Sequence, residues 1–508
     1  MYHVTLIRPP NLLPLSSVTT AQGVPPLGLA YVAASLRQAG YSVTIIDAFA
    51  EAPDAVQLLP GMPCRLSGLD TAAILSRIPR GTDAIGISCM FSNEWLYHRE
   101  LVSHIAAVFP EKPVILGGEH ATADPEHIFA TVPTLTACIL GEGEVTMPEL
   151  LRAIARGAMP GTVPGVFGRV AADTTPVPGP LRPRVTEPDT LPRPAWDLVQ
   201  LDTYFLRGLG YGAVTGRNMP MLASRGCPHN CAFCSNARMY QRQWHARSPQ
   251  NVVSEICDYR DRFHVTHIEF YDLTMITSRT WIMEFIALLR EQAPGLTWAF
   301  PTGTRTEALD PEVIACLARS GCRTLGCAPE SGDQRTLRRI GKNIDHARML
   351  GTLRDCVRNA VTVKVNIVTG FPDQTKAELF AGFPFYVRLA LIGCHDLAVF
   401  AFVPYPGSRL HDMLVERGIL DKASPDYDRQ MAGLVYNRYT GMRSFSHAIP
   451  DVLLNVAALA AMALFYGVQF LLRPWRLWQL WMNVARQRPH TMLERALHGL
   501  WRTNRLLK

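Results

Sequence analysis

The sequence predicts an α/β protein in three parts: an N-terminal doubly wound parallel sheet, a partial (βα)6 barrel and a helical C-terminal region. Three observations carry this reading. Short apolar runs alternate with helical patterns in residues 1–157 and again in 216–425. A proline-rich segment within 158–215 separates the two. Residues 426–508 lose that alternation and end in a basic, tryptophan-rich zone. Strands alternating with helices argue for parallel sheets.

In the first part, residues 3–7 read as a strand, followed by a helix over Leu27–Ala39 that stops at Gly40. Further strands follow at Val43–Ile46, Ala84–Ser88, Val114–Leu116 and Ala137–Leu140, with helical patterns at 94–108 and 145–156. The fourth and fifth strands run into Gly117-Gly118-Glu119 and Gly141-Glu142-Gly143. Ligands of such sheets bind beyond the carboxyl ends of the strands. Glycines there let backbone approach a bulky ligand closely.

The connector is extended by composition, with nine prolines between Pro160 and Pro194. The second part has strands expected at Met221–Ser224, His267–Tyr271, Thr297–Phe300, Thr324–Cys327, Val363–Val368 and Leu397–Phe402. The hydrophobic share is 48% and the charged share 18%, enough for a sizeable core. The net charge of +7 is concentrated toward the C-terminus, so the total does not imply a nucleic-acid enzyme. Residues 1–11 lack an apolar signal-type core. A cytoplasmic, reducing compartment is expected, where clustered cysteines are metal ligands before they are disulfides.

Three of the 12 cysteines, Cys227, Cys231 and Cys234, fall within eight residues. Thiolates at this density suit zinc or an iron–sulfur cluster. Structural zinc wants a fourth ligand, and only His229 and His245 lie close, neither with the usual paired spacing. Three cysteines leave one iron of a [4Fe–4S] cluster open to another ligand.

This CxxxCxxC pattern, with Phe233 before its last cysteine, resembles the radical S-adenosylmethionine (SAM) superfamily. Segments after the later strands agree: Phe270-Tyr271-Asp272, Thr302–Arg305, Ala328–Gly332, Gly370–Asp373 and Pro404–Ser408. The resemblance implies that the three cysteines hold [4Fe–4S] and that Phe233, Asp272, Arg305, Glu330 and Ser331 surround SAM. Three of these keep a plainer reading. Asp272 reads equally as a helix cap, Glu330 as a helix N-terminal acid, and Arg305 as the partner of a barrel carboxylate.

Pro25–Leu29, Gly40–Val43, Asp47, Leu116–Ala121 and Gly141–Glu144 resemble the cobalamin-binding domain of B12-dependent radical SAM proteins. The resemblance places Gly117, Gly118, Glu119, Gly141, Glu142 and Gly143 at cobalamin. The Asp-x-His-x-x-Gly motif that supplies a lower histidine ligand is missing. The corresponding loop, Ser88–Glu94, offers Met90 or Phe91 to that face instead.

The family implies an enzyme that methylates an unactivated carbon through a 5′-deoxyadenosyl radical and methylcobalamin, fed by a flavodoxin- or ferredoxin-type donor. A non-methylating oxidative cyclase or ring-rearranging enzyme uses the same motifs, and a non-catalytic cobalamin or redox sensor is the reading from another class. No nucleic-acid module is visible. Val452–Leu472 is uncharged and long enough to span a bilayer. The arginines beyond it, with Trp475, Trp478 and Trp481 among them, fit an interfacial helix on an anionic surface better than a span. A helical cap on the barrel is the alternative. Peripheral attachment to the inner face of the membrane and a small hydrophobic substrate are the expectations.

Overall fold

The computed structural model describes residues 1–15, 23–62, 64–213, 216–434 and 441–506. The basic tail expected from the sequence includes Arg502, Arg505 and Lys508, whose side chains lie outside the described residues.

The first sheet holds β1 (His3–Arg8), β2 (Ser42–Asp47), β3 (Ala84–Ser88), β4 (Val114–Gly117) and β5 (Ala137–Ile139), all parallel, in the order β2-β1-β3-β4-β5. The order reverses between β1 and β3, which makes their carboxyl ends the ligand crevice of a doubly wound sheet. Each strand feeds two cores because its side chains alternate faces. Leu6 and Ile115 pack on one side, Ile7 and Leu116 on the other. Helix α1 (Leu27–Gln38) covers one face, beside α2 (Gly143–Ala155).

The proline-rich connector does more than span a gap. Its β6 (Val166–Gly168) and β7 (Val177–Pro178) extend this sheet antiparallel beyond β5. Extended backbone pairs readily, and a proline is tolerated at a sheet edge.

The second sheet runs β8 (Asn218–Met221), β9 (His267–Phe270), β10 (Thr297–Thr304), β11 (Cys322–Glu330), β12 (Thr362–Thr369) and β13 (Asp396–Ala401). All six are parallel and in sequence order, a partial barrel. Its helices open on side-chain caps: Ser248, Ser278, Asp310, Asp345 and Ser408 each accept an N–H of the first turn. The first barrel strand ends at Met221, three residues short of the expected Ser224. Ser224–Gly226 turns instead into a separate antiparallel pairing with Trp244–Ala246. A partner twenty residues onward decides this, and the apolar run alone does not show it.

Three helices complete the chain: α3 (Asp451–Leu472), α4 (Pro474–Ala485) and α5 (Met492–Leu506). Leu454, Ala457, Ala458, Ala461, Phe465 and Gln469 form the buried face of α3, at helical spacing, against the barrel. Arg473 donates to the carbonyls of Ala390 and Leu391, and Arg476 to those of Gly393 and Cys394. Asp396, the first residue of β13, caps α5 by accepting from Met492 and Leu493 N–H. The tail is therefore part of the barrel wall.

Candidate functional site

The two sheets turn their carboxyl ends toward each other, and the cysteine loop lies at that junction. Arg225, in the short strand before Cys227, sets it. Its guanidinium is buried, 2.7 Å from Glu144 and 3.3 Å from Glu142, with its carbon 4.8 Å from the Tyr31 ring centroid. Arg184 joins the cluster at 2.7 Å from Glu142 and also donates to the carbonyl of Tyr240. These ion pairs with two arginines hold the Glu142 carboxyl below its ordinary range against the opposing effect of burial. Glu142 thus clamps one domain to the other and does not line the cavity between them. Gly141 stands at φ +77°, and Gly143 begins α2 against Val32.

A second tie joins Glu119 to Ser235, whose hydroxyl donates to the carboxylate. Burial raises the Glu119 carboxyl. Gly118, just before it, has φ +114°, and a Cβ there would lie 2.6 Å from the Cys89 carbonyl oxygen. Gly117 closes β4 beneath this turn. Met90 and Phe91 are each 43% exposed and face the same cavity as Glu119.

The cysteine loop is a turn, with Cys234 N–H on the Cys231 carbonyl at 3.2 Å and Asn236 donating to Cys234 Sγ at 2.9 Å. Burial lifts the Cys231 thiol and pushes that of Cys234 up to about 12. Among the described residues no three acidic, histidine or cysteine side chains converge in metal-holding geometry. The loop's donor set still fits an iron–sulfur cluster. All three are free, half-exposed thiols, and a coordinated metal deprotonates a thiol outright.

Phe233 packs on Phe371 with centroids 5.9 Å apart, and Lys342 Nζ lies 5.9 Å from its ring. The same ammonium pairs with Glu330 at 2.7 Å. Glu330 has φ +67°, a conformation rare for residues with a side chain and concentrated at functional sites. Ser331 Oγ accepts from Asp333 N–H, and its carbonyl oxygen lies 3.0 Å from His346 Nε2. Arg305 pairs with Glu307, a neighbour two residues away, and donates to the Asn343 carbonyl. Asp272 is neither a helix cap nor a cavity group. Its oxygens take Ala223 N–H, Ser224 N–H and the Ser224 hydroxyl at 3.1, 2.5 and 2.5 Å, fixing the backbone that leads into the cysteine loop. Burial pushes its carboxyl up to about 6, against those hydrogen bonds.

Beside the cysteine loop lies a cavity of 820 Å³, and the three cysteines, Phe233, Arg305, Glu330 and Ser331 are not among its lining residues. Leu27, Met90, Phe91 and Glu119 wall it from the first domain, Ser224–Gly226 and Tyr240 from the cysteine side, and Leu459, Met462 and Arg495 from the tail.

Comparison with known proteins agrees with this layout. The B12 binding domain matches residues 17–151 and the radical SAM superfamily matches residues 221–381. This chain belongs to the B12-dependent radical SAM family. Its two matched domains supply the loops that face each other across the cavity. An uncharacterized methyltransferase of Pyrococcus horikoshii is 28% identical over 420 residues, 82% of this chain and 84% of the relative. Cytidylyl-2-hydroxyethylphosphonate methyltransferase of Streptomyces wedmorensis is also 28% identical, over 78% of this chain and 79% of its own. The radical SAM methyltransferase TsrM of Kitasatospora setae, solved with cobalamin and a [4Fe–4S] cluster, shares the fold at TM-score 0.67, covering 91% of each chain at 16% identity.

Lys342, Arg184 and Ser235, which hold Glu330, Glu142 and Glu119, had no local sequence signal. Each acts on a partner brought near by the fold.

Proposed function

We propose that this radical SAM enzyme methylates an unactivated carbon of a small hydrophobic substrate. The observation that carries the proposal is the single cavity shared by the Met90–Phe91 loop, Glu119, the cysteine side and the barrel lumen. Relatives that are named methyltransferases along most of their length support it. When bound, cobalamin, SAM and the [4Fe–4S] cluster supply the radical and the methyl carrier.

The chain's own residues bind and orient. Cys227, Cys231 and Cys234 hold the cluster. Phe233, Glu330, Ser331 and Arg305 surround SAM, with Lys342 fixing the Glu330 carboxylate. Gly118 would let the backbone approach cobalamin, and Met90 or Phe91, both facing the cavity, would pack against it where no histidine is available. Leu222, Leu273 and Phe400 keep water from the reacting carbon. An external flavodoxin- or ferredoxin-type protein supplies electrons.

The reading extends to location. Helix α3 is long and apolar enough to cross a membrane, but one of its faces is spent on the barrel. Its outer face leaves Val452, Val456 and Leu471 exposed, and α4 adds Trp475, Trp478 and Trp481, 56–64% exposed. Such a surface suits attachment to the cytoplasmic face of an anionic membrane.

Anaerobic reconstitution with iron, sulfide and hydroxocobalamin tests the proposal. One cobalamin per [4Fe–4S] cluster and a product heavier by one CH2 are expected. A cluster without cobalamin, or a product that loses hydrogen, overturns it.

A further inference from the structure

The cavity continues from the cofactor loops into the barrel and ends on charged groups. Residues of β12 alternate, so Thr362, Lys364 and Asn366 face the lumen while Val363, Val365 and Ile367 are buried behind the sheet. Along β13 the lining runs from Asp396 at the start of the strand, through Ala398, to Phe400. The lumen is therefore polar at the amino ends of its strands and apolar toward the cofactor side. Helix α5 closes the polar end, where Arg495 donates to the carbonyls of Gly210 and Gly212.

The carboxylates at this end are already satisfied. Asp396 accepts from Met492 and Leu493 N–H at 2.8 and 3.2 Å and from the Tyr466 hydroxyl at 3.3 Å. Glu269 accepts from Tyr211 and Gly212 N–H at 3.0 and 2.7 Å and from the Tyr271 hydroxyl at 3.0 Å. Lys364 feels both carboxylates and Arg495, yet it makes no hydrogen bond or ion pair with a described residue. Burial lowers its ammonium below the usual lysine range. Asn366 Oδ1, one step further along the lumen, is buried and without a partner among the described residues. A desolvated cation that lacks an acceptor is costly unless a ligand supplies one.

We infer that Lys364 and Arg495 form an anion-binding subsite at the closed end of the barrel, which takes a carboxylate or phosphate terminus of an otherwise apolar substrate. This rests on the methyltransferase reading and narrows its substrate class. The apolar body then lies along Ala398, Phe400, Leu459 and Met462, toward the cofactor loops. Asn366 meets a polar group just above the anionic terminus.

Calorimetric titration of the reconstituted holoenzyme with decanoate, decyl phosphate and decan-1-ol, each below its micelle concentration, tests this. The alcohol is expected to bind roughly tenfold or more weakly than the better anion, since one charge-assisted contact is worth about that factor. Decanoate ahead of decyl phosphate assigns the subsite to carboxylates, and the reverse order to phosphates. Lys364→Met is expected to lower anion affinity by the same factor and leave decan-1-ol unchanged, and Lys364→Arg to restore it. Equal binding of alcohol and anions, or undiminished anion binding by Lys364→Met, overturns the inference. Cobalamin and cluster absorbance on the same samples report whether each variant is folded. They also test the cofactor reading separately, because cofactor loading without anion selectivity removes this subsite and leaves the methylation reading standing.

Discussion

Arg225 and Glu144 meet at 2.7 Å across the junction of the two sheets, both nearly buried, two residues before the first cysteine of the cluster loop. The position of that loop is thus set by a carboxylate of the cobalamin-type domain. Removing one partner of a buried ion pair leaves an uncompensated charge. Glu144→Gln should cost about 3 kcal/mol, the lower end for such a loss because Arg225 keeps Glu142. Denaturant unfolding of the cofactor-free protein measures this. An unchanged midpoint would show that the clamp holds nothing.

Gly118→Ala acts on the other side of the junction. The residue needs φ +114°, and its new Cβ meets the Cys89 carbonyl at 2.6 Å and Met90 Sδ at 3.0 Å. A strain of about 1–3 kcal/mol is expected, with the Met90–Phe91 loop displaced. Reconstituted protein should lose bound cobalamin while keeping its iron content. Full cobalamin occupancy would separate this turn from the cofactor.

His120 gives the protein a pH dependence. Both its ring nitrogens are buried without a partner among the described residues, and burial pushes it down to about 4. An unfolded histidine titrates near 6.5. The unfolded chain therefore binds the proton first as pH falls. The stability contributed by the neutral ring is complete above pH 6.5 and is lost on acidification toward 4. The loss is about 3 kcal/mol at the acid end of that window. His98, pushed down to about 3, adds to the same slope. His120→Leu should flatten the acid limb of the thermal-stability profile between pH 6.5 and 4. A limb of unchanged steepness would place its origin elsewhere.

Membrane attachment is tested more cleanly by side chain than by truncation. Deleting 450–508 removes Leu459, Met462 and Arg495 from the cavity wall as well as the exposed tryptophans. Replacing Trp475, Trp478 and Trp481 together with serine leaves the wall intact. Binding to phosphatidylserine vesicles should fall roughly a hundredfold or more, as three buried indoles are worth several kcal/mol. Sedimentation unchanged from wild type would make α4 an ordinary solvated helix.

Much of this was readable from residue order. Short apolar runs alternating with helical patterns located eleven strands, and three cysteines in eight residues marked the cluster loop. The polar face of β12 was also legible: Lys364 and Asn366 alternate with Val363, Val365 and Ile367, a pattern that puts the polar members in a barrel lumen. Other features depend on distant partners. Glu142 lies in a glycine-rich turn suited to a ligand, but Arg225, 83 residues later, claims its carboxylate. Asp272 follows a strand like a cofactor contact, yet the backbone of Ala223 and Ser224 saturates it. No local pattern encodes such pairings.

The wall contributed by α3 and α5 lies outside both regions matched to known domains, which end at residue 381. Part of the cavity wall is thus carried by a stretch of the gene separate from the cysteine and glycine loops, while Lys364 and Asn366 stay within the matched barrel. Grafting residues 450–508 from one homologue to another is then a route to retargeting the enzyme without rebuilding its radical machinery.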